Sequence, residues 1–249
     1  MMLPRIQHLP NTLSTNRDLE LLIHSALDAG CDFPEFSAVM ADFQTAGRGQ
    51  GTNRWHSTAG LNLLISICFR PPVPASRQFL FNEYFAIAVR QLLSRYTCDV
   101  KIKWPNDIYV NDRKLAGILI EHSVIGDRLG YSIAGLGLNV NETDFPVDLP
   151  NPVSLSQITG KQYDMHEIAA QLISICQSSY SVLKEENWEK LESDFLSHLY
   201  RREEWFFYMI ENHEVEAKIT GMDVYGRLLL EGREGEKWCC GMKEIKFII

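Results

Sequence analysis

With 249 residues, 45% of them hydrophobic and 22% charged, the chain has the composition of an ordinary folded globular protein that can bury a sizeable core. Its formal net charge of −8 argues against general binding to nucleic acid or to an anionic membrane, so any anion site must be local. The six cysteines show no CxxC spacing, and the first residues lack the apolar stretch of a signal peptide. These features predict a reduced, cytoplasmic protein with no nucleic acid or membrane partner.

The first part of the chain alternates helical and strand patterns. Residues 14–29 open with cap-forming residues, carry apolar positions at helical spacing and stop at a glycine, which predicts a helix. Residues 36–43 and 61–69 are short apolar runs of the kind that form buried strands. A glycine-rich stretch lies between these two runs, so it is expected to join two strands, whereas a dinucleotide-binding fingerprint opens a helix.

A second predicted helix, over 79–95, is followed by three apolar runs. Asparagine, aspartate and glycine at 111–112 and 126–127 mark turns between them, so the runs are expected to be consecutive antiparallel strands. The runs cover residues 100–110, 114–124 and 131–140.

The character of the chain changes at about residue 202. Residues 164–199 carry two helical patterns, whereas residues 203–249 alternate apolar and polar positions between glycine-containing turns. A β unit of this size has a marginal core of its own, so it is expected to dock against the larger domain. The sequence therefore predicts an α+β protein with two domains, 1–202 and 203–249.

The glycine-rich stretch QTAGRGQGTNRWHS, residues 44–57, contains three glycines, two arginines and a tryptophan, but no acidic residue. Glycines let a backbone approach a ligand closely, and guanidinium groups suit phosphate or carboxylate. The alternatives are a plain surface turn for the glycines and a core position for Trp55. Because no acidic neighbour in the stretch pairs with Arg48 or Arg54, the pattern favours an anion site.

The stretch KWPNDIYVNDRKLAGILIE, residues 103–121, is the second candidate. Pro105 would interrupt an interior strand, so a bend is expected there. Lys103 and Lys114 flank the predicted hairpin turn and can face one ligand, although lysines beside a turn are usually solvated. Gly117 follows Lys114 in an apolar strand and permits the close approach of a bulky group.

Two further stretches are ambiguous when taken alone. The Ser-Thr-Asn sequence at 14–16 precedes a helix, with an acidic residue at 18, as in a helix-capping arrangement. In AGLGLNV, residues 134–140, the strand glycines predict a close backbone approach, and Asn139 contacts either a ligand or its own turn.

Taken together and in this order, the stretches resemble the pattern of the biotin–protein ligases. The matching motifs are STN, QTAGRG with a tryptophan eight residues after its Gly47, KWPND, KLAGIL and GLGLN, while the closing GMDVYGRLLLE resembles the family's small C-terminal β-barrel. The resemblance covers nearly the whole chain and begins almost at its first residue, so no DNA-binding helix-turn-helix is expected in front. It implies a class II synthetase-like catalytic domain with a mixed or antiparallel sheet flanked by helices.

The resemblance also implies a reaction. Biotin's carboxylate attacks the α-phosphate of ATP, in the presence of Mg²⁺, to give biotinyl-AMP and pyrophosphate. A lysine of a biotin carboxyl carrier protein or domain then attacks the activated carbonyl, and AMP leaves. The glycine stretch is expected to hold the carboxylate and the phosphate, since positioning and charge stabilisation are what a protein offers such a displacement. The sequence does not distinguish a monomer from a homodimer. The predicted strand at 131–140 either pairs with a second copy or is covered within its own chain.

Roles follow from the resemblance residue by residue, with Lys114 placed as a protonated cation between carboxylate and α-phosphate. The catalytic residues are Lys114, Arg48 and Asp107, and Asp107 is also the candidate metal ligand. The biotin-binding residues are Ser14, Thr15, Asn16, Gln44, Gly47, Arg48, Lys114 and Gly117. The nucleotide-binding residues are Arg48, Gln50, Trp55, Lys103, Asn106, Lys114 and Asn139.

The chain departs from the family pattern at two positions. Many relatives have an arginine and a glycine where this chain has Gln50 and Thr52. Glutamine donates hydrogen bonds but lacks the fixed charge of arginine. The intermediate is therefore expected to be held less tightly than in the arginine-bearing relatives.

Three other functions are weighed against this one. A lipoate–protein ligase shares the fold and the two-step chemistry, but the GRG motif with Trp55 and the closing barrel favour biotin. A non-catalytic biotin sensor or repressor needs a surface that binds DNA, and the net negative charge of the chain argues against such a surface. A nucleotide-dependent dehydrogenase is disfavoured because no helix follows the glycine stretch.

Overall fold

The larger of two β-sheets forms the centre of the molecule. The computed structural model describes residues 4–51, 53–184 and 188–249. The strands of the larger sheet are β1 (Ile6–Thr12), β2 (Ala38–Gln44), β3 (Asn62–Phe69), β4 (Val100–Lys103), β5 (Asp107–Val110), β6 (Arg113–Ile125) and β7 (Arg128–Asn139). Their order in the sheet is β1-β2-β3-β7-β6-β5-β4, with β1 parallel to β2 and the other pairings antiparallel. The sheet is therefore mixed, as predicted.

Helices cover both faces of this sheet. They are α1 (Thr15–Asp28), α2 (Phe79–Leu93), α3 (Leu155–Thr159), α4 (Met165–Ser179), α5 (Ser181–Lys184) and α6 (Trp188–Ser197). Leu19 and Ile23 of α1 pack with Val39 of β2 on one face. The apolar side chains of α2 and α4 join the main core on the other face, together with Ala38 and Met40, because successive strand residues point to opposite faces. The α+β class is thus confirmed.

Most of the predicted elements lie where the sequence places them, although several differ. The turns at 111–112 and 126–127 separate β5, β6 and β7 as expected. The run 100–110 is two strands, because the chain turns at residues 104–106 and Lys103 pairs with Asp107. Strand β1 was not predicted; it is an edge strand with mostly exposed side chains and a proline, so it lacks the pattern of a buried strand. Helix α3 was also not predicted.

The predicted strand over 131–140 lies inside the sheet. It is part of β7, which pairs with β3 on one side and with β6 on the other. Its backbone is covered within the chain, so of the two alternatives for this strand the covered one is correct. The edges of the sheet are β1 and β4.

The C-terminal residues form a second, smaller sheet. Its strands are β8 (Trp205–Ile210), β9 (His213–Met222), β10 (Leu228–Gly232), β11 (Lys237–Cys240) and β12 (Ile245–Phe247). They are antiparallel in the order β11-β10-β9-β8-β12. This is the small all-β unit expected after residue 202, and the boundary between 202 and 203 stays a prediction.

The small sheet docks on the larger domain through the turn between β9 and β10. The buried Trp104 donates a hydrogen bond from its indole nitrogen to the Gly226 carbonyl, with the two atoms 2.8 Å apart. Gly226 also packs against Phe79 at the start of α2. The expected docking is therefore seen as a buried, hydrogen-bonded contact.

The helices of the described ranges are short. The longest, α2 and α4, have 15 residues each. No helix in this part of the chain is long and apolar enough to cross a membrane.

We expect Gly226→Ala to destabilise the protein by about 2 kcal/mol or more. Gly226 has a φ of +81°, and a Cβ added there would lie 2.1 Å from the Cγ atom of Phe79. Thermal unfolding measures the effect, with Gly221→Ala as control, because a Cβ at Gly221 has no neighbour within 4 Å. Equal melting temperatures for the two variants would contradict this account of the docking turn.

Candidate active site

A cavity of about 350 Å³ opens between the start of α1, the glycine stretch, strands β4 to β7 and the small sheet. It brings together residues that are far apart in the sequence. The predicted site residues that line it are Ser14, Thr15, Asn16, Gln44, Arg48, Gln50, Trp55, Lys103, Asn106, Asp107, Lys114 and Gly117. Gly47 and Asn139 do not line it.

The glycine stretch forms a tight loop that returns beside its own start. The Trp55 amide donates to the Gly47 carbonyl at 3.0 Å, and the Gly49 amide donates to the Asn53 carbonyl at 2.8 Å. A Cβ added at Gly47 would lie 2.8 Å from the Trp55 carbonyl oxygen, so this glycine lets the two arms of the loop meet. Thr52, one of the two departures from the family pattern, lies outside the described residues.

The Trp55 ring packs directly on the backbone of two paired strands. Gly117 of β6 lies opposite Gly137 of β7. A Cβ at Gly137 would lie 2.4 Å from the Cε2 atom of Trp55, and a Cβ at Gly117 would lie 2.9 Å from its Cζ3 atom. The bulky group predicted to approach these glycines is therefore Trp55 itself. Its buried indole N–H has no acceptor among the described residues, so it is free to donate to a ligand.

Uncharged hydrogen-bonding groups line one part of the cavity. Gln44 accepts hydrogen bonds through Oε1 from the Thr15 amide at 2.8 Å and from the Thr15 hydroxyl at 3.2 Å. Ser14 is the N-cap of α1 but makes no side-chain cap bond. The alternative that the Ser-Thr-Asn stretch is only a capping arrangement is therefore wrong, because Gln44 holds this end of the helix and Ser14 faces the cavity.

Asn16 has its side chain held by protein groups. Its Oδ1 accepts from the Ser66 hydroxyl at 2.5 Å, and its Nδ2 donates to Glu121 Oε2 at 2.7 Å and to the Leu119 carbonyl at 3.3 Å. The same Glu121 oxygen accepts from Arg48 Nη2 at 3.0 Å. Arg48 is thus paired, although the stretch around it contains no acidic residue. Glu121 ends the stretch 103–121, but nothing local marks it as a partner of residue 48.

Two lysines of the larger sheet and its adjoining turns add positive charge to the cavity. Lys114 Nζ lies 2.7 Å from Asp107 Oδ1 and 5.7 Å from the centre of the Trp55 ring. Lys103 Nζ lies 5.2 Å from the centre of the Tyr109 ring and 4.6 Å from that of Phe247. Burial lowers the pKa of Lys103, and nearby Asp107 opposes that effect.

The two asparagines predicted to bind the nucleotide donate hydrogen bonds to backbone carbonyls. Asn106 donates from Nδ2 to the Ile118 carbonyl, and the Ile118 amide donates back to the Asn106 carbonyl at 2.8 Å. Asn139 is buried and donates from Nδ2 to the Val153 carbonyl at 3.0 Å. Asn106 reaches the cavity, whereas the nucleotide contact expected of Asn139 stays a prediction.

The small sheet supplies part of the cavity wall, which the sequence analysis did not predict. Gln50 Nε2 contacts Met242 Sδ at 2.6 Å, and Phe247 of β12 lies against Lys103. Ile245 and Lys246 also line the cavity. The one sequence signal for these contacts was the expected docking of the small unit.

In the described ranges, no group of three or more His, Cys, Asp or Glu side chains is arranged to hold a metal ion. Asp107 lines the cavity as a single carboxylate beside Lys114. One protein carboxylate together with ligand phosphates is a usual environment for Mg²⁺, so the donor set fits an ion that arrives with a nucleotide.

Residues 32–139 match the model of the Biotin/lipoate A/B protein ligase family. The match covers slightly less than half of the chain. The matched residues include the glycine stretch, Lys103, Asp107, Lys114 and the paired glycines of β6 and β7.

The chain is also similar to curated proteins. The chain is 34% identical over 220 residues to the bifunctional ligase/repressor BirA of Bacillus subtilis, covering 82% of this chain and 64% of BirA. It therefore spans slightly less than two thirds of that relative. It is 28% identical over 207 residues to the biotin–[acetyl-CoA-carboxylase] ligase of Paracoccus denitrificans, covering 80% and 85% of the two chains.

A solved structure supports the fold. The biotin protein ligase from Aquifex aeolicus, in complex with biotin and ATP, superposes with a TM-score of 0.78 at 23% identity. The match covers 99% of this chain and 100% of that one, so the likeness includes the small C-terminal sheet.

We expect Gly137→Ala to cost about 2 kcal/mol of stability because its methyl group meets the Trp55 ring. In a Trp55→Ala background the same change should cost little, since the clashing ring is gone. Denaturant unfolding of the four proteins in this cycle measures the difference. A loss of equal size in both backgrounds would show that the strand itself, and not Trp55, requires glycine.

Proposed function

We propose that this protein is a biotin–protein ligase, which activates biotin with ATP as biotinyl-AMP and transfers it to a lysine of a biotin carboxyl carrier protein or domain. One observation carries the proposal. The cavity combines uncharged groups on Ser14, Thr15 and Gln44 with the cations Arg48 and Lys114 beside an aromatic ring. Biotin has an uncharged ureido ring and an anionic carboxylate, and ATP adds a planar base and phosphates.

The ureido ring suits the uncharged groups. A ureido group has two N–H donors and one strong acceptor oxygen, and hydroxyl and amide side chains can pair with both kinds of atom. Lipoate, the other substrate type in the family name, ends in a dithiolane ring that offers sulfur alone. Of these groups, the Ser14 hydroxyl and the Gln44 side-chain nitrogen would lack partners beside that ring, which favours biotin.

The first step joins the biotin carboxylate to the α-phosphate. A carboxylate oxygen forms a bond to phosphorus, the bond to the pyrophosphate oxygen breaks, and pyrophosphate leaves. Arg48 and Lys114 neutralise the two anions that must meet, and Lys103 adds a third positive charge. The ring of Trp55 offers a surface for the adenine base.

Asp107 would be the protein carboxylate that holds an Mg²⁺ ion bound with the nucleotide. Such an ion would supply charge neutralisation to the phosphates. The same carboxylate holds the Lys114 ammonium at 2.7 Å, and so keeps that cation beside the reacting groups.

In the second step the neutral amine of the carrier lysine attacks the activated carbonyl. A carbon–nitrogen bond forms, the bond from the carbonyl carbon to the phosphate oxygen breaks, and AMP leaves while the amine loses a proton. Asp107 is the proposed residue for orienting the incoming amine. The partner is the carrier domain of a biotin-dependent carboxylase.

Biotin-dependent exchange of labelled pyrophosphate into ATP tests the proposal. We expect exchange by the native protein, and its rate should fall about 10²- to 10³-fold in Lys114→Ala with biotin binding largely kept. Lys161→Ala, a change at an exposed lysine, serves as control and should exchange normally. Exchange that depends on lipoate and not on biotin would assign the other substrate, and biotin binding without exchange would indicate a sensor.

We expect Gln50→Arg to slow the release of biotinyl-AMP. Gln50 lines the cavity and contacts Met242, and it carries no charge toward the phosphate. The dissociation rate of preformed biotinyl-AMP from native protein, Gln50→Arg and the neutral control Gln50→Met measures the effect. Equal dissociation rates for native protein and Gln50→Arg would contradict a role for the missing charge.

A further inference from the structure

Glu121 contacts both helix α1 and the loop formed by the glycine stretch. Its Oε2 atom accepts from Asn16 Nδ2 at 2.7 Å and from Arg48 Nη2 at 3.0 Å. Asn16 is buried and belongs to α1, whereas Arg48 lies in the loop and is about half exposed. A single carboxylate oxygen therefore connects helix α1 with the glycine loop.

The two donors depend on Glu121 to different extents. Asn16 has two other protein partners, the Ser66 hydroxyl and the Leu119 carbonyl. For the Arg48 side chain, Glu121 is the one hydrogen-bond and ion-pair partner within the described ranges. Loss of the Glu121 carboxylate would thus leave Asn16 in place and release Arg48.

Arginine held in this way keeps most of its donors. A guanidinium group has five N–H donors, and Glu121 engages one of its nitrogens. Arg48 lines the cavity, so the remaining donors are available to a ligand anion. Ordering a long side chain before the ligand arrives lowers the entropic cost of binding.

We propose that Glu121 is a positioning residue, which holds the Arg48 guanidinium at the cavity and so sets the affinity for the anionic group of the ligand. This inference rests on the proposed function for the identity of the ligand. Glu121 acts through Arg48 and does not line the cavity. It belongs to the site although the glycine stretch and the KWPND and KLAGIL motifs do not contain it.

The test compares biotin with biotinamide, in which an uncharged amide replaces the carboxylate. Glu121→Ala should weaken the binding of biotin about tenfold and change that of biotinamide much less, because Arg48 acts on the charge. In an Arg48→Ala background, Glu121→Ala should have little further effect. Glu121→Gln should restore most of the affinity, since its amide oxygen can accept from both donors. Equal losses for the two ligands, or additive losses in the two backgrounds, would overturn the proposal.

A second measurement needs no ligand. Trypsin cleavage after Arg48 in the ligand-free protein should become several-fold faster in Glu121→Ala, with the exposed Glu214→Ala as matched control. The half-exposed ion pair adds little to global stability, so the fold should survive the change. If native protein binds no biotin, the proposed function fails, and the cleavage rate alone decides the positioning role. Unchanged cleavage in Glu121→Ala would refute that role.

Discussion

The antiparallel pairing of β6 with β7 is the constraint on which the site depends. It places Gly117 opposite Gly137 and leaves a patch of backbone without side chains. The Trp55 ring occupies this patch, and its backbone is tied to Gly47 at the start of the loop. The path of the glycine loop, the position of the aromatic ring and the ammonium group of Lys114 above it all follow from this one register.

Two protein carboxylates hold two of the cationic side chains at the cavity. Glu121 pairs with Arg48, and Asp107 pairs with Lys114. Lys103 is instead held between aromatic rings, where burial lowers its pKa. Although the net charge of the chain is −8, these contacts hold Arg48, Lys103 and Lys114 at the cavity before an anion binds.

The two sheets depend on each other. The small sheet is too small for a substantial core of its own, and the hydrogen bond from Trp104 to Gly226 anchors it on the larger domain. The same docking brings Phe247 over Lys103 and Met242 against Gln50. The contact that stabilises the small sheet thus also completes the wall of the cavity, which couples stability of the C-terminal unit to the shape of the site.

The sequence by itself determined the elements whose signals are local. The helices near 14–29 and 79–95, the turns at 111–112 and 126–127 and the change to an all-β unit near 202 follow from periodicity and turn chemistry over a few neighbouring residues. The motifs also identified most of the side chains that line the cavity.

Only the tertiary structure decided which groups those side chains meet. Arg48 pairs with Glu121, 73 residues away, and Asn139 turns to the backbone of Val153. Strand β1 exists because β2 offers it an edge, and the C-terminal wall exists because the small sheet docks. Such partners are fixed by the packing of distant segments, and a local pattern of residues carries no record of them.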